Sequence, residues 1–260
     1  MKPHQILTAL AAALICGSAG AQTNLDVYVL GGQSNMAGVA PLTGEPSPSH
    51  PSQIWMWDVA SQSWVPAKDP IFPGCGVGPG LWFADSLAGL QPGHQIGVVP
   101  VARNGSYLSQ WMPTMTELGT DYYGYAISEA NKAAKACNGN VKGWLWYQGE
   151  AETMAAANVQ RFSSRMHCLF SSVRADFNNL SLPIVFVQLG PDPQDPNYPY
   201  WTTIQNWQAA IAAAACPNTA MVSAKDLTAI PGNPYHLDQP SQLTLGGRMG
   251  NAMYQLLCAQ

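Results

Sequence analysis

The stretch Leu25-Asp26-Val27-Tyr28-Val29-Leu30 runs directly into Gly31-Gly32-Gln33-Ser34-Asn35-Met36. A short apolar, β-branched run of this kind reads as a strand buried on both faces. The glycine pair lets the chain turn tightly at the strand's end. A helix beginning just after the turn would place Ser34 at its N-terminus, where backbone N–H groups lack intrahelical partners. Ser34 is then either a nucleophile beside those donors or merely a helix cap.

Outward from this stretch the same signal recurs. Ile96 to Val101, Val141 to Tyr147, Ile184 to Leu189 and Ala220 to Ser223 also read as buried strands. Helical spacing lies between them: Tyr123, Ile127, Ala130, Ala134; then Phe162, Met166, Leu169, Val173; then Leu245, Met249, Ala252, Leu256. Ser241 is the expected N-cap of the last helix. Strands alternating with helices predict a mainly parallel sheet covered on both faces. The segment from Ala37 to Gly93 is long for one crossover. It is expected to hold a small hairpin, Ile54–Trp57 with Ser63–Val65, and a helix over Leu81–Leu90. Pro191 to Trp201 reads as a loop rich in Pro, Asp and Tyr.

Of the 260 residues 47% are hydrophobic and 10% charged, with a net charge of −4. That composition fits a packed α/β domain and leaves no basic footprint for nucleic acid. At the start, the apolar run Ile6–Cys16 is too short to span a bilayer, and Ala19-Gly20-Ala21 offers a cleavage site. Residues 1–21 therefore read as a signal peptide and 22–260 as the mature domain, secreted or periplasmic and without a membrane anchor. The mature chain would keep five cysteines, an odd number, with no C-x-x-C spacing. Disulfides are permitted by export, but at least one thiol has no partner within the chain, and zinc is disfavoured. Oligomeric state leaves no trace in the sequence.

Ligands of open α/β sheets sit at the carboxyl ends of strands. Four segments there carry suggestive polar residues. The first is Gly31–Met36. The second is Arg103-Asn104-Gly105-Ser106, ending in Trp111, where Gly105 can present an unobstructed N–H. The third is Trp146-Tyr147-Gln148-Gly149-Glu150-Ala151-Glu152. A Gln amide can donate to an oxyanion, and a carboxylate there can orient a histidine. The fourth is Asn233-Pro234-Tyr235-His236-Leu237-Asp238, just before the last helix. The mature chain has four histidines, and of these only His236 lies at such a place; the others are His50, His94 and His167.

Taken together these pieces resemble the SGNH hydrolases, and within them the sialate O-acetylesterase-like and carbohydrate esterase family 6 (acetylxylan esterase-like) branch. The matching pieces are Gly32-Gln33-Ser34-Asn35-Met36, Gly78-Pro79 to Phe83, Asn104-Gly105-Ser106 with Trp111, Trp146 to Glu150, and His236 followed by Leu245-Gly246. They follow the family's order along nearly the whole mature chain. The resemblance implies a flavodoxin-like α/β/α three-layer sandwich with a five-stranded parallel sheet. It implies a serine esterase that removes acetyl groups from sugars and uses no metal or cofactor. Carried over residue by residue, Ser34 is the nucleophile and His236 the general base. The Ser34 and Gly105 N–H groups and the Gln148 side chain form the oxyanion hole.

One departure concerns the acid. Many relatives place Asp three residues before the histidine; here that position is Asn233. Glu150 is the stronger candidate for the acid. Asp226, Asp238 and a dyad with no acid stay open. Gln33, Asn35, Trp111, Tyr198, Tyr200 and Trp201 are candidate substrate contacts. Acetylated carbohydrate is the expected substrate, with xylan, another polysaccharide or sialic acid as the acetyl bearer. A lipase- or thioesterase-like SGNH enzyme and a non-enzymatic carbohydrate-binding protein are the alternatives.

Overall fold

The computed structural model describes residues 24–44, 46–113, 120–214 and 216–259. The expected signal peptide, residues 1–21, lies outside the described residues. The elements begin with β1 (Asp26–Gly32), α1 (Ser34–Ala37), β2 (Ile54–Asp58), β3 (Ser63–Pro66), α2 (Gly80–Leu90) and β4 (Ile96–Pro100). There follow α3 (Tyr122–Ala136), β5 (Asn140–Tyr147), α4 (Ala156–Asp176), β6 (Ile184–Gln188) and α5 (Trp201–Ala213). The chain ends with β7 (Thr219–Ser223), β8 (Ala229–Ile230), β9 (Asn233–Leu237) and α6 (Gln239–Cys258).

The central sheet runs β3-β2-β4-β1-β5-β6-β7. Every pairing is parallel except β2 with β3. The sheet therefore has seven strands where five were expected. The expected hairpin is present, but it does not stand apart. Ile54–Met56 pairs in parallel with Ile96–Val98, so the hairpin extends the sheet at that edge. Helices α2 and α6 pack together over one face, while α3, α4 and α5 cover the other. The result is a three-layer α/β/α sandwich.

The apolar run that opens β1 explains its central place. Val27, Tyr28, Val29 and Leu30 are all fully buried between the two helical layers. Each such side chain contributes about 1.5–3 kcal/mol through burial. At the end of β1, Gly32 has φ +130°, and a Cβ there would lie 2.1 Å from the Tyr147 carbonyl oxygen. No other residue fits that approach. It sends the chain over the sheet edge into Ser34.

One helix is short, and one helix terminus differs from expectation. Helix α1 has only four residues, because Gly38 leaves helical geometry at φ +94°. Helix α6 is capped by Asp238, whose side chain accepts from the Ser241 N–H at 2.9 Å. Ser241 is thus inside the first turn, and its hydroxyl accepts from the Thr228 N–H instead. The described cysteines, Cys75, Cys137, Cys168, Cys216 and Cys258, are all free thiols. Among the described residues no helix is long and apolar enough to cross a membrane.

Candidate active site

The carboxyl ends of β1, β4 and β5 meet the β8–β9 hairpin around a pocket of about 380 Å³. Ser34, Gly105, Glu150, Tyr198, Tyr235 and His236 are among the residues that line it. Ser34 Oγ lies 2.8 Å from His236 Nε2. His236 Nδ1 lies 2.8 Å from Asn233 Oδ1. An amide oxygen can only accept, so Nδ1 carries the proton and the Nε2 lone pair faces the serine hydroxyl. Burial holds His236 below the usual histidine range. The imidazole is therefore neutral and able to take the Ser34 proton at neutral pH.

The other histidines serve elsewhere. His94 pairs with Asp26 at the opposite end of β1. His50 pairs with Asp85, and His167 touches Cys216.

Gly105 sits on the loop after β4, at φ +67°, with open space where a Cβ would stand. The loop is tied down on both sides. The Arg103 N–H and the Ser106 hydroxyl both donate to the Gly32 carbonyl. The Ser34 and Gly105 N–H groups have no hydrogen-bond acceptor among the described residues. Two free N–H groups beside a serine hydroxyl form a site for a developing oxyanion.

Gln148 departs from its expected place. It is fully buried and lies behind the pocket wall. Its Nε2 donates to the Ser106 carbonyl and to Glu152 Oε1, both at 3.2 Å. Both amide protons are thus occupied in holding up the Gly105–Ser106 loop, and neither is offered to the pocket. Glu152 completes this support by accepting from the Leu108 N–H at 2.6 Å. Its buried position after a strand was readable, but its role depends on a loop partner 44 residues away.

Glu150 also departs from its expected role. It makes no hydrogen bond to His236, whose Nδ1 is already taken by Asn233. Glu150 Oε1 instead accepts from Asn35 Nδ2 at 2.6 Å. The same Nδ2 donates to the Tyr235 carbonyl at 2.9 Å, and Asn35 Oδ1 accepts from the Leu237 N–H at 3.0 Å. Asn35, next to the serine, thus grips the backbone on either side of His236. Asn35 is almost wholly buried in this clamp and is not a substrate contact. Burial pushes the Glu150 carboxyl up to about 7, and the Asn35 hydrogen bond opposes that rise. Asp226 is engaged with Arg248 through two hydrogen bonds, and Asp238 caps α6. Neither approaches His236, so Asn233 holds the acid's position.

Of the aromatic candidates, only Tyr198 reaches the pocket. Trp111 and Trp201 are core side chains. Their indole N–H groups donate to Ser106 Oγ and the Gly190 carbonyl, both at 3.0 Å. Tyr200 precedes α5 and does not line the pocket. Gln33 lines the pocket, with its side-chain oxygen toward the Ala151 N–H. Sequence reading missed Tyr235, although it sits beside His236. Its ring packs on Tyr198 with centroids 4.4 Å apart, and its hydroxyl donates to Asp195. The two rings are tilted by 35° to each other and together give the pocket an aromatic side. Among the described residues no group of three or more His, Cys, Asp or Glu side chains could hold a metal ion.

The neutral orienter carries a prediction. Asn233 cannot stabilise an imidazolium by charge. Asn233→Asp should raise the His236 pKa, because a nearby carboxylate favours the charged ring. The acidic limb of the kcat/KM–pH profile should then move up by about one pH unit, with turnover above it rising about tenfold. A pH–rate comparison of the two proteins checks this. An unmoved limb would refute the orienting role of Asn233.

Residues 24–255 match the family described as carbohydrate esterase, sialic acid-specific acetylesterase. A probable carbohydrate esterase of Arabidopsis thaliana is 27% identical over 256 residues, spanning 89% of this chain and 91% of its own. An Arabidopsis thaliana crystal structure superposes with a TM-score of 0.76 at 26% identity, covering 88% of this chain and 97% of that one. NanS shares the fold with a TM-score of 0.71 at 16% identity, over 92% and 99% of the two chains. A carbohydrate acetylesterase from Xanthomonas citri shares it at 0.64 and 22%, over 90% of this chain and 57% of its own.

Proposed function

Because the chain belongs to the carbohydrate esterase, sialic acid-specific acetylesterase family, we propose that it removes O-acetyl groups from a polysaccharide such as acetylxylan through an acetyl-enzyme on Ser34. The carrying observation is the 2.8 Å contact between Ser34 Oγ and His236 Nε2. His236 takes the hydroxyl proton as Ser34 attacks the acetyl carbonyl. The carbonyl oxygen becomes an oxyanion held by the Ser34 and Gly105 N–H groups. His236 passes its proton to the departing sugar hydroxyl. Water then attacks the acetyl-serine by the same route and releases acetate.

The aromatic side given by Tyr198 and Tyr235 supports a sugar as the leaving group. The leader-like residues 1–21 support export, which would bring the enzyme to polysaccharide outside the cytoplasm. The sialate reading draws on the family's description, and acetylated sialic acid is the competing substrate.

The test is acetate release from acetylxylan, from O-acetylated sialic acid and from a series of 4-nitrophenyl esters. Faster release from acetylxylan, with acetate preferred over longer acyl chains, is the expected result. Activity that climbs with chain length would overturn the reading in favour of a lipase-like enzyme. Exclusive hydrolysis of acetylated sialic acid would overturn the polysaccharide assignment alone.

A further inference from the structure

A second concavity of about 410 Å³ opens beside the catalytic pocket, on the same carboxyl edge of the sheet. Asn104 lines both, so the two lie on either side of the loop that carries Gly105. The floor of this compartment is apolar, with Trp57, Phe72 and Ala102 all buried beneath it. Its wall carries one cation, Arg103, two residues before Gly105. The Arg103 guanidinium lies 4.4 Å above the Tyr125 ring, and its Nη1 reaches only the Ala102 carbonyl. Among the described residues no carboxylate stands within ion-pair distance of it. Asp58 also lines the compartment, but its oxygens accept from the Ala60 N–H and the Ser61 hydroxyl.

Only 11 of the 260 residues are Lys or Arg. A half-buried arginine at this place is therefore not part of a generally basic surface. Its place over the Tyr125 ring holds it while leaving guanidinium N–H groups free, which suits a carboxylate. The apolar floor suits the less polar face of a sugar ring.

Resting on the acetylesterase reading above, we propose that this compartment is an accessory subsite for a carboxylate-bearing sugar linked to the acetylated one. Arg103 pairs with the carboxylate while the acetyl group lies at Ser34. The substrate class is thus an acetylated glycan with acidic branches, not a neutral one.

The test compares acetylated xylo-oligosaccharides with and without a glucuronic acid branch, with 4-nitrophenyl acetate as the reference ester. The wild-type protein should favour the acidic oligosaccharide at least fivefold in kcat/KM. Arg103→Gln should bring that preference close to one, and Arg103→Lys should keep part of it. Each value is taken as a ratio to 4-nitrophenyl acetate, so a disturbed Gly105 loop cancels. Calorimetry with the unacetylated acidic oligosaccharide on the Ser34→Ala protein should show at least fivefold weaker binding once Arg103→Gln is added. No preference in the wild type, or a preference that survives Arg103→Gln, overturns the subsite. Loss confined to O-acetylated sialic acid also overturns it, because the carboxylate would then belong to the acetylated sugar itself. If none of the acetylated sugars is cleaved, the acetylesterase reading fails instead.

Discussion

Ser34→Ala should abolish ester hydrolysis while leaving the fold and its melting temperature essentially unchanged. The hydroxyl has one close partner, His236 Nε2, and no structural hydrogen bond depends on it. Removing it deletes the attacking atom but preserves the N–H groups that would hold the oxyanion. Loss of a nucleophile of this kind lowers turnover by at least ~10³-fold, with residual catalysis from the remaining site. Burst kinetics with 4-nitrophenyl acetate give a direct reading. The wild-type protein should trap an acetyl group on Ser34, seen by mass spectrometry of the acid-quenched enzyme, and the variant should not. A variant that keeps more than a tenth of wild-type turnover would remove Ser34 from the mechanism.

The second large effect is expected at Asn35, a residue that touches no substrate. Its amide joins Glu150 to the backbone at Tyr235 and Leu237, and so sets His236 against Ser34. Asn35→Ala should lower kcat about 10²-fold with a smaller change in KM, as displacement of a catalytic group by about 1 Å does. It also leaves Glu150 buried without its donor, at about 1–3 kcal/mol in stability.

Glu150→Gln provides the contrast. Gln keeps an oxygen for Asn35 Nδ2, so turnover should stay within a few-fold of wild type. Its stability effect has a definite sign. Glu150 titrates near 7 in the fold against 4.5 when unfolded. Between those values the unfolded chain releases a proton that the folded chain retains. Wild-type stability therefore falls as pH rises through that window, and the penalty is complete above it. At about 1.36 kcal/mol per pH unit the effect is roughly 3 kcal/mol. Thermal unfolding should thus show Glu150→Gln more stable than wild type at pH 8 and nearly equal to it at pH 4. A kcat loss for Glu150→Gln as large as for Asn35→Ala would mean that the carboxylate charge itself acts on His236.

Much of the fold was legible because strands β1, β4, β5 and β6 are largely apolar runs between helices of clear period. Helix α5 was not, and its buried face explains why. Gln205 and Gln208 lie on that face, interrupting the apolar stripe between Ile204 and Ile211. Gln205 donates to the Leu189 and Gly190 carbonyls, and Gln208 exchanges hydrogen bonds with Leu189, Val187 and Gln148. The helix is polar where it must satisfy the strand ends beneath it, a demand visible only in three dimensions. The short β8–β9 hairpin was hidden for a related reason. Its strands are held by local turns and the Asn35 clamp, without an alternating apolar pattern.

The site divides along the same line. Ser34, Gly105 and His236 lie at strand ends, where the sequence directs attention, but their roles came from the family resemblance. The partners of Gln148, Glu150 and Asn233 could not be chosen by residue type alone. A carboxylate outranks an amide as a histidine's partner in water, yet here proximity within β9 gives the place to Asn233. Trp111 and Trp201 misled for the opposite reason: a large aromatic near a motif is more often core than platform.

Ser34 and His236 stand 202 residues apart along the chain. On the proposed mechanism, a nascent polypeptide therefore displays its hydroxyl long before the imidazole that would activate it has been made. Hydrolytic competence would then arrive only when the late hairpin closes onto the early turn. Until then the growing chain cannot attack acetylated material around it. Any fragment cut between the two would be chemically mute, so activity would report on completion of the fold from its first strand to its last hairpin.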